Sequence, residues 1–437
     1  MDYLTDPINK LYKKLLPSAI GSMLTATVTS LIDTVILSHY LGAVMLSSVS
    51  ICMPIYMIVN ALSMLIASGG TTLCAMYIGM NDKEESNRFF TVSIAGIVSV
   101  GVVLTVVGSL FTGPIIKMLG ANEAIWEPTM DYARVLMLFL LPFFIYCMQL
   151  FFVRFDSDPG LALASTFVCA VLNLVLDVLF VGPLNMGAKG AALATCLAYT
   201  AAAVFGCTHF LKKKNTLKLV KGSITFKRIK RILGTGLPLS LSQFGMALTT
   251  SVFNVQIMRI AGELYVTVYA IITQLAMTAL ALYDGVSQAA QPILAANYGA
   301  GDTVRVKKTV RTGIVLELIF TGACLAVYML FAKTICGFFS ITEGELLNIG
   351  INGIRIYSLS IPFIGINTFG VYFLQSRERV LPSTVVSVLN GTVLMIAGLL
   401  ALTAIFGEKG IWWSWLCAQA LTLPITFVMY KKESKRQ

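Results

Sequence analysis

Charged residues are scarce in this chain, at 12% of 437 residues, which is about half the share of a soluble domain. Histidine occurs only as His39 and His209, and the nine cysteines include no CxxC pair. Without a histidine cluster, a CxxC pair or a Walker lysine motif, the sequence disfavours a zinc site, a disulfide framework and a nucleotide-hydrolysing enzyme. We therefore expect no enzymatic activity and no cofactor, and we interpret the cysteines as small apolar side chains.

Apolar residues dominate the composition, at 57% of the chain, and the mean hydropathy is +0.82. Apolar runs long enough to cross a bilayer recur along the whole chain, so they do not describe one large soluble core. The start of the chain is polar and has no small-residue cleavage site, so we expect no removable signal peptide. The pattern predicts an all-α membrane protein. Its twelve transmembrane helices are placed at about residues 15–39, 46–79, 90–112, 130–155, 161–183, 187–211, 233–260, 264–299, 311–332, 349–375, 383–406 and 410–430.

Basic residues are distributed unevenly between the loops that join these spans. If both termini lie in the cytoplasm, 25 of the 32 lysines and arginines fall on the cytoplasmic side, as the positive-inside rule requires. The densest run, residues 212–231, holds nine basic and no acidic residues between two apolar segments. This placement indicates a cytoplasmic loop rather than a nucleic-acid surface. The sequence therefore predicts a multi-pass protein of the cell (inner) membrane with no nucleic-acid partner.

The two halves of the chain repeat one another. Pro17 and the segment 29–33 recur as Pro238 and the segment 250–254, at an offset of 221 residues. Further matches follow in order at similar offsets, ending with 187–190 against 407–410. Because six spans per repeat is an even number, both halves should have the same orientation around a central cleft. We expect a monomer with an N-terminal lobe at 1–211, a basic cytoplasmic linker at 212–232 and a C-terminal lobe at 233–437.

Polar side chains form one stripe on each of two apolar spans. The stripes are Ser18, Ser22, Thr25, Thr29 and Asp33 in the first span, and Ser165, Cys169, Asn173 and Asp177 in the fifth. At 1.5 Å per residue, Asp33 and Asp177 reach a similar depth, and Thr195 enters the sixth span at a compatible one. Hydroxyl residues such as Ser165 often only join helices, and we favour that interpretation for Thr25, Thr29 and Ser165.

The two aspartates need a different explanation, because intramembrane carboxylates are rare without a function. No lysine or arginine lies at their depth in the same half of the chain. Two carboxylates in one low-dielectric cavity cannot both stay charged, so they should share a proton or a cation. We predict an ion-coupling site formed by Asp33, Asn173, Asp177 and Thr195, in which Asp33 and Asp177 would bind the metal if the ion is Na+.

The C-terminal half has a different set of polar residues. Asn254 stands at the position of Asp33, so the carboxylate pair belongs to one half only. Asp284, Gln288 and Gln291 share one face of the eighth span, and contact with substrate and packing against a neighbouring helix are equally good interpretations of that face. Glu317 lies near the predicted cytoplasmic start of its span, where we expect it to reach water.

Three segments together resemble the MATE (multidrug and toxic compound extrusion) transporters: 173–177, 186–195 and 291–301. Asp33 resembles the first-span acid of the DinF-like prokaryotic branch, whose N-lobe acids couple transport to protons or sodium. The resemblance implies an antiporter, driven by H+ or Na+, that exports small organic cations or amphiphilic drugs. It also implies ion-site roles for Asp33, Asn173, Asp177 and Thr195. Gln149 stands where the branch usually has asparagines in the fourth span.

Two other functions remain as alternatives. The wider superfamily includes flippases of lipid-linked precursors, which share the fold, and a passive channel is disfavoured because the acids are confined to one half. We name Asp284, Gln288, Gln291, Gln149 and Asn254 as the substrate-binding candidates.

Overall fold

The computed structural model describes residues 1–339 and 341–434. Lys435 and Arg436, which the charge analysis assigned to the cytoplasmic side, lie outside the described residues. The α-helices in the described part are α1 (Ile8–Ile51), α2 (Met53–Gly79), α3 (Lys83–Leu110), α4 (Thr112–Met118), α5 (Trp126–Leu138), α6 (Leu140–Phe155), α7 (Pro159–Val181), α8 (Gly187–Cys207), α9 (Phe226–Ala261), α10 (Glu263–Gly299), α11 (Thr303–Leu330), α12 (Ala332–Phe338), α13 (Gly344–Ser358), α14 (Ile361–Gln375), α15 (Val380–Val388), α16 (Leu394–Phe406) and α17 (Lys409–Ser434).

Nine helical stretches in the described residues are long and apolar enough to cross a membrane, and two bent pairs raise the number to eleven. α5 and α6 bend by 54° and α13 and α14 by 43°, each beside a proline in the first turn of the second helix, which cannot donate a backbone hydrogen bond. α9 is long enough to cross at 36 residues, but its sequence is more polar. Each of the twelve predicted spans overlaps one of these elements, and the all-α membrane class is confirmed.

The chain divides into two compact units. Met1 and Pro17–Gly236 form the first unit, and Asp2–Leu16 together with the chain from Leu237 onward form the second. Two helices therefore pass from one unit to the other, α1 at Pro17 and α9 just before Pro238. These prolines are the pair that the sequence repeat relates.

Close approach of two backbones positions the start of α9 in the first unit. A Cβ atom on Gly236 would lie 1.8 Å from the carbonyl oxygen of Leu65, and one on Gly69 would lie 2.2 Å from that of Ile232. Only glycine fits at such distances, because real Cβ atoms do not approach a carbonyl oxygen so closely. The two glycines therefore let α2 and α9 pack backbone to backbone.

The basic linker is an ordered part of the first unit. The backbone N–H of Lys218 donates to Asn87 Oδ1 over 2.9 Å, at the start of α3. Arg228 binds both carboxylate oxygens of Glu85, at 2.7 and 2.8 Å, the bidentate geometry that arginine favours. The linker is thus fixed to the start of α3.

The N-terminal segment is fixed to the second unit in a similar way. Arg305 donates to the carbonyl oxygens of Tyr3 and Asp6, at 2.9 and 2.8 Å. The Tyr12 hydroxyl donates to the carbonyl oxygen of Thr309 over 3.0 Å. The interior of this unit contains stacked aromatic rings, among them Phe253 and Tyr269 with centroids 5.3 Å apart.

Candidate functional site

α7 and α8 hold three of the predicted site residues in one hydrogen-bonded chain. Asn173 and Asp177 lie one turn apart on α7, and Asn173 Nδ2 donates to Asp177 Oδ2 over 2.7 Å. The same amide lies 3.3 Å from Thr195 Oγ1 on α8, and that hydroxyl donates to the carbonyl oxygen of Ala191 over 3.1 Å. Asp177 is fully buried. Its carboxyl group is therefore held in place by a neighbour that is itself oriented by the next helix.

α1 brings the second carboxyl group to this site. Asp33 lies close enough to Asp177 for the two carboxyl groups to interact directly. Oδ1 of each aspartate is buried and accepts no hydrogen bond from a described residue. Two facing carboxylates repel when both are charged, and each buried lone pair that lacks a donor costs free energy. A proton shared between the two groups, or a cation bound by both, removes both penalties.

The arrangement offers oxygen atoms and no other metal-binding chemistry. Among residues 1–339 and 341–434, no group of three His, Cys, Asp or Glu side chains is placed to hold a metal ion. A sodium ion at this site would therefore rely on the two carboxyl groups and on neutral oxygens such as Thr195 Oγ1. Hard monovalent cations accept such oxygen ligands, as other hard cations do. These oxygen atoms are chemically suited to bind a proton or Na+.

A tyrosine that was not among the sequence candidates lies near Asp33, and it contacts a second tyrosine. Tyr132 on α5 is close enough to Asp33 to sense its charge, and its hydroxyl lies 3.0 Å from that of Tyr56 on α2. Tyr132 sits in the helix that bends against α6. In the sequence this region is one apolar run, so no periodic pattern marks this tyrosine.

Gln149 does not join the four residues. It is fully buried, and its Nε2 donates to Ser165 Oγ over 2.8 Å, while Ser165 donates to the carbonyl oxygen of Ala202 over 2.8 Å. Gly206 leaves the space for the amide, since a Cβ there would lie 2.1 Å from Gln149 Oε1. Ser165 thus joins helices, as the sequence analysis favoured, and Gln149 takes part in the same contact between α6, α7 and α8.

The candidate face of α10 lies within the second unit. Gln291 donates to Gln375 over 2.9 Å, and both Gln288 and Gln291 are buried. Asp284 is half-buried, and its carboxyl group lies near Tyr372. The two glutamines therefore make packing contacts, and Asp284 has the more open position. Asn254 on α9 is exposed.

The position of Glu317 differs from the sequence prediction. It was expected to reach water, yet it is only 1% exposed. Ser287 donates to its Oε1 over 3.2 Å, and Oε2 is buried without a donor among the described residues. α11 begins at Thr303 rather than near residue 311, so Glu317 lies about 20 Å inside the helix at 1.5 Å per residue.

Two helical units, one of which holds a pair of interacting carboxyl groups, have the architecture of a secondary transporter. The MatE family profile matches residues 17–179 and 238–399, one match in each half. These matches cover most of the chain, so the chain belongs to the MATE (MatE) family, and the predicted resemblance is confirmed. It is a multi-pass membrane transporter and not an enzyme.

Two named relatives extend over nearly the whole chain. Multidrug export protein MepA of Staphylococcus haemolyticus (strain JCSC1435) is 25% identical over 426 residues, covering 96% of this chain and 92% of that protein. MepA of Staphylococcus aureus (strain MSSA476) is 25% identical over 411 residues, covering 91% and 89%.

Solved structures share the fold. An outward-facing multidrug resistance MATE family transporter of the MOP superfamily superposes with a TM-score of 0.93 at 22% identity, covering 99% of this chain and 97% of that one. A MOP superfamily transporter from Pyrococcus furiosus Vc1 (DSM3638), described as having a binding pocket of reverse polarity that suggests a different function, gives 0.90 at 21% identity, with the same coverage. The predicted two-repeat fold class is confirmed.

Proposed function

We propose that the chain is a cation-coupled antiporter, driven by H+ or Na+, that exports organic cations or amphiphilic drugs across the cell membrane. The observation that carries the proposal is the Asp33–Asp177 pair, whose facing carboxyl groups each leave one buried oxygen without a donor. The relatives described as multidrug export proteins support the direction of transport and the class of substrate.

The two carboxylate oxygens of Asp177 have different surroundings. Asp177 Oδ2 accepts from Asn173, so Oδ1 is the oxygen left for a proton or a cation. When one carboxyl group is protonated, its O–H donates a hydrogen bond to the other carboxylate. The pair then carries one negative charge instead of two. A sodium ion would accept lone pairs from both groups and offset their repulsion. In either case, Asn173 and Thr195 keep Asp177 oriented while the ion binds and leaves.

Asp33 links ion binding to movement of α1. The half of α1 that carries it exposes apolar side chains, with Val28, Leu31 and Val35 all more than two-fifths exposed. Few core contacts therefore hold this half of the helix, and its position depends on what binds at Asp33. We propose that neutralising Asp33 repacks this part of α1 and releases the substrate, after which the two repeats alternate and reset access.

Substrate contacts in the second unit are proposed for Asp284 and Asn254. Asp284 is half-buried and Asn254 is exposed, whereas Gln149, Gln288 and Gln291 are buried in packing contacts. An ionised Asp284 facing the substrate path would attract an organic cation. We propose that the protein is a monomer. We also propose that both termini lie in the cytoplasm, which the positive-inside charge distribution favours.

Vesicle assays separate the two coupling ions. The purified chain is reconstituted into liposomes loaded with a fluorescent organic cation, and a pH gradient or a sodium gradient is imposed separately. We expect one gradient to drive transport and its collapse by an ionophore to stop it. Equal transport without either gradient would contradict coupling, and absence of organic-cation transport under both would favour the flippase alternative.

A further inference from the structure

Four large apolar side chains project from the segment that joins the two repeats. Leu211, Leu219, Ile224 and Phe226 are 88%, 68%, 63% and 81% exposed. A solvated loop rarely displays this many large apolar groups within sixteen residues. The segment begins at Leu211, the last residue of the candidate span Gly187–Leu211.

The backbone that carries these side chains is fixed rather than free. Val220 N donates to Thr91 Oγ1 over 2.9 Å, next to the Lys218–Asn87 bond described above. Thr216 N donates to Asp156 Oδ2 over 3.0 Å. The loop is therefore held against α3 and the end of α6, with the four apolar side chains turned outward. An apolar group that is held in an exposed position stabilises the protein only if something apolar covers it.

Lysines alternate with these apolar side chains. Lys213, Lys214, Lys218, Lys221, Lys227 and Lys230 are exposed, and none of them forms an ion pair with a described residue. The arginines differ, because Arg228 is bound to Glu85 and Arg231 donates to the Tyr77 hydroxyl over 2.7 Å. Arg228 and Arg231 therefore bind other residues of the first unit, whereas the six lysine side chains are exposed and can bind an external anion.

We propose that this linker face, formed by Leu211, Leu219, Ile224, Phe226 and the six lysines, binds anionic phospholipids at the membrane interface. Apolar side chains at that depth insert between headgroups while lysine amines reach the phosphates above them. Each lysine near an anionic leaflet strengthens binding to it about fivefold. A soluble anion would use the lysines but leave the four apolar groups in water, so the combination favours a lipid surface. The proposal does not depend on the transported ion or substrate.

Native mass spectrometry of the full chain in detergent tests the proposal. Titration with phosphatidylglycerol should give tighter binding than titration with phosphatidylcholine. Replacing the six lysines by glutamine should weaken phosphatidylglycerol binding at least about tenfold. A lysine contributes about fivefold, so the loss of only two contacts with one headgroup already gives about twenty-fivefold. An unchanged phosphatidylglycerol affinity, or equal affinity for both lipids in the parent chain, would overturn the proposal.

The apolar half of the face has its own variant. Leu219→Ser with Phe226→Ser should also weaken phosphatidylglycerol binding, whereas soluble glycerol phosphate should not displace the lipid. Displacement by glycerol phosphate together with an unaffected serine variant would indicate a simple anion site and overturn the lipid surface. If the sixfold variant is unstable, the pairs Lys213→Gln/Lys214→Gln and Lys218→Gln/Lys221→Gln should each show a smaller, additive loss.

Matched controls lie at the opposite end of the same unit. Lys117 and Lys189 are exposed there, as are Met118 and Leu184. Lys117→Gln/Lys189→Gln and Met118→Ser/Leu184→Ser should leave phosphatidylglycerol affinity unchanged. A loss in these controls equal to that in the linker variants would show general charge or hydrophobicity effects and refute the assignment to the linker face.

Discussion

The two aspartates differ in their surroundings although they face each other. Asp177 is buried and held by Asn173, while Asp33 is half-buried on a sparsely packed part of α1. Asp33→Asn and Asp177→Asn should each abolish gradient-driven efflux, because an amide keeps the size of the side chain but cannot bind or release a proton. Efflux from liposomes measures this. The double variant should lose little more, as expected of groups that act as a unit.

Folding is the first control for these variants. Replacing a buried carboxyl group by its amide removes the repulsion within the pair, so the apparent melting temperature should not fall. Asp131→Asn changes an exposed aspartate of α5 in the same unit, and its efflux should match that of the parent. Normal efflux in either site variant would refute the assignment.

Glu317 is a buried acid of the second unit. One of its oxygens accepts a hydrogen bond from Ser287, and the other has no donor among the described residues. Glu317→Gln keeps the acceptor for Ser287 and removes a buried acid, so we expect the apparent melting temperature to stay or rise. Glu317→Ala loses the hydrogen bond and leaves a cavity, at a cost of about 1–3 kcal/mol. Thermal unfolding in detergent compares the two, and equal losses would contradict this explanation.

At the scale of the helix, Asp158 fixes the start of α7, the helix that carries Asn173 and Asp177. Its carboxylate caps the N–H of Leu161 and accepts from Lys212 over 2.9 Å and from His209 over 3.3 Å. Burial alone would raise the pKa of Asp158, but the bonds from Lys212 and His209 outweigh burial and hold the pKa below its usual range. Asp158→Ala should therefore destabilise the first unit by about 1 kcal/mol, the usual cost of a lost cap.

The pH dependence of this effect has a fixed sign. A lowered pKa in the folded state gives stability that is present above the unfolded pKa of about 3.9 and is lost as the pH falls further. The parent should thus melt higher than Asp158→Asn at pH 7, and the difference should shrink below about pH 4. Melting curves at both pH values measure this. A difference that grows in acid would contradict the assignment.

α1 is the element that belongs to both units, and Pro17 stands where it passes from one to the other. Proline lacks the N–H that would complete the helical hydrogen-bond ladder, so bending at this position costs little free energy. Pro17→Ala restores that hydrogen bond, and we expect slower maximal efflux with unchanged dependence on the coupling ion. Pro424→Ala provides the control, because α17 lies wholly within the second unit. Equal slowing by both variants would contradict a special role for Pro17.

The elements that sequence could predict are those with a local signal. Hydropathy located the spans, and the four-residue spacing on α7 placed Asn173 above Asp177. Tyr132, the fixed linker and the burial of Glu317 depend on contacts between segments far apart in the chain, which periodicity does not report. The predicted start of α11 was eight residues late, and that error alone turned a buried glutamate into a solvated one.

For the whole molecule, the charge distribution and the repeat make one joint prediction about orientation. Lys189 and Lys409 occupy equivalent positions in the two repeats, both exposed, and Lys218 is exposed in the linker. If the repeats are parallel and both termini are cytoplasmic, a cysteine at 189 or 409 faces outside and one at 218 faces the cytoplasm.

Lys189→Cys, Lys409→Cys and Lys218→Cys, each made after replacing the nine native cysteines, test that orientation. In intact cells, a membrane-impermeant maleimide should label the first two variants and not the third, because the reagent reaches only the outer face. After the membrane is opened, all three should react, which controls for side-chain accessibility. The linker cysteine should tolerate the change, because Lys218 is fixed through its backbone N–H and not through its side chain. Labelling of the 189 and 409 variants from opposite sides would refute parallel repeats, and labelling of the 218 variant in intact cells would reverse the topology.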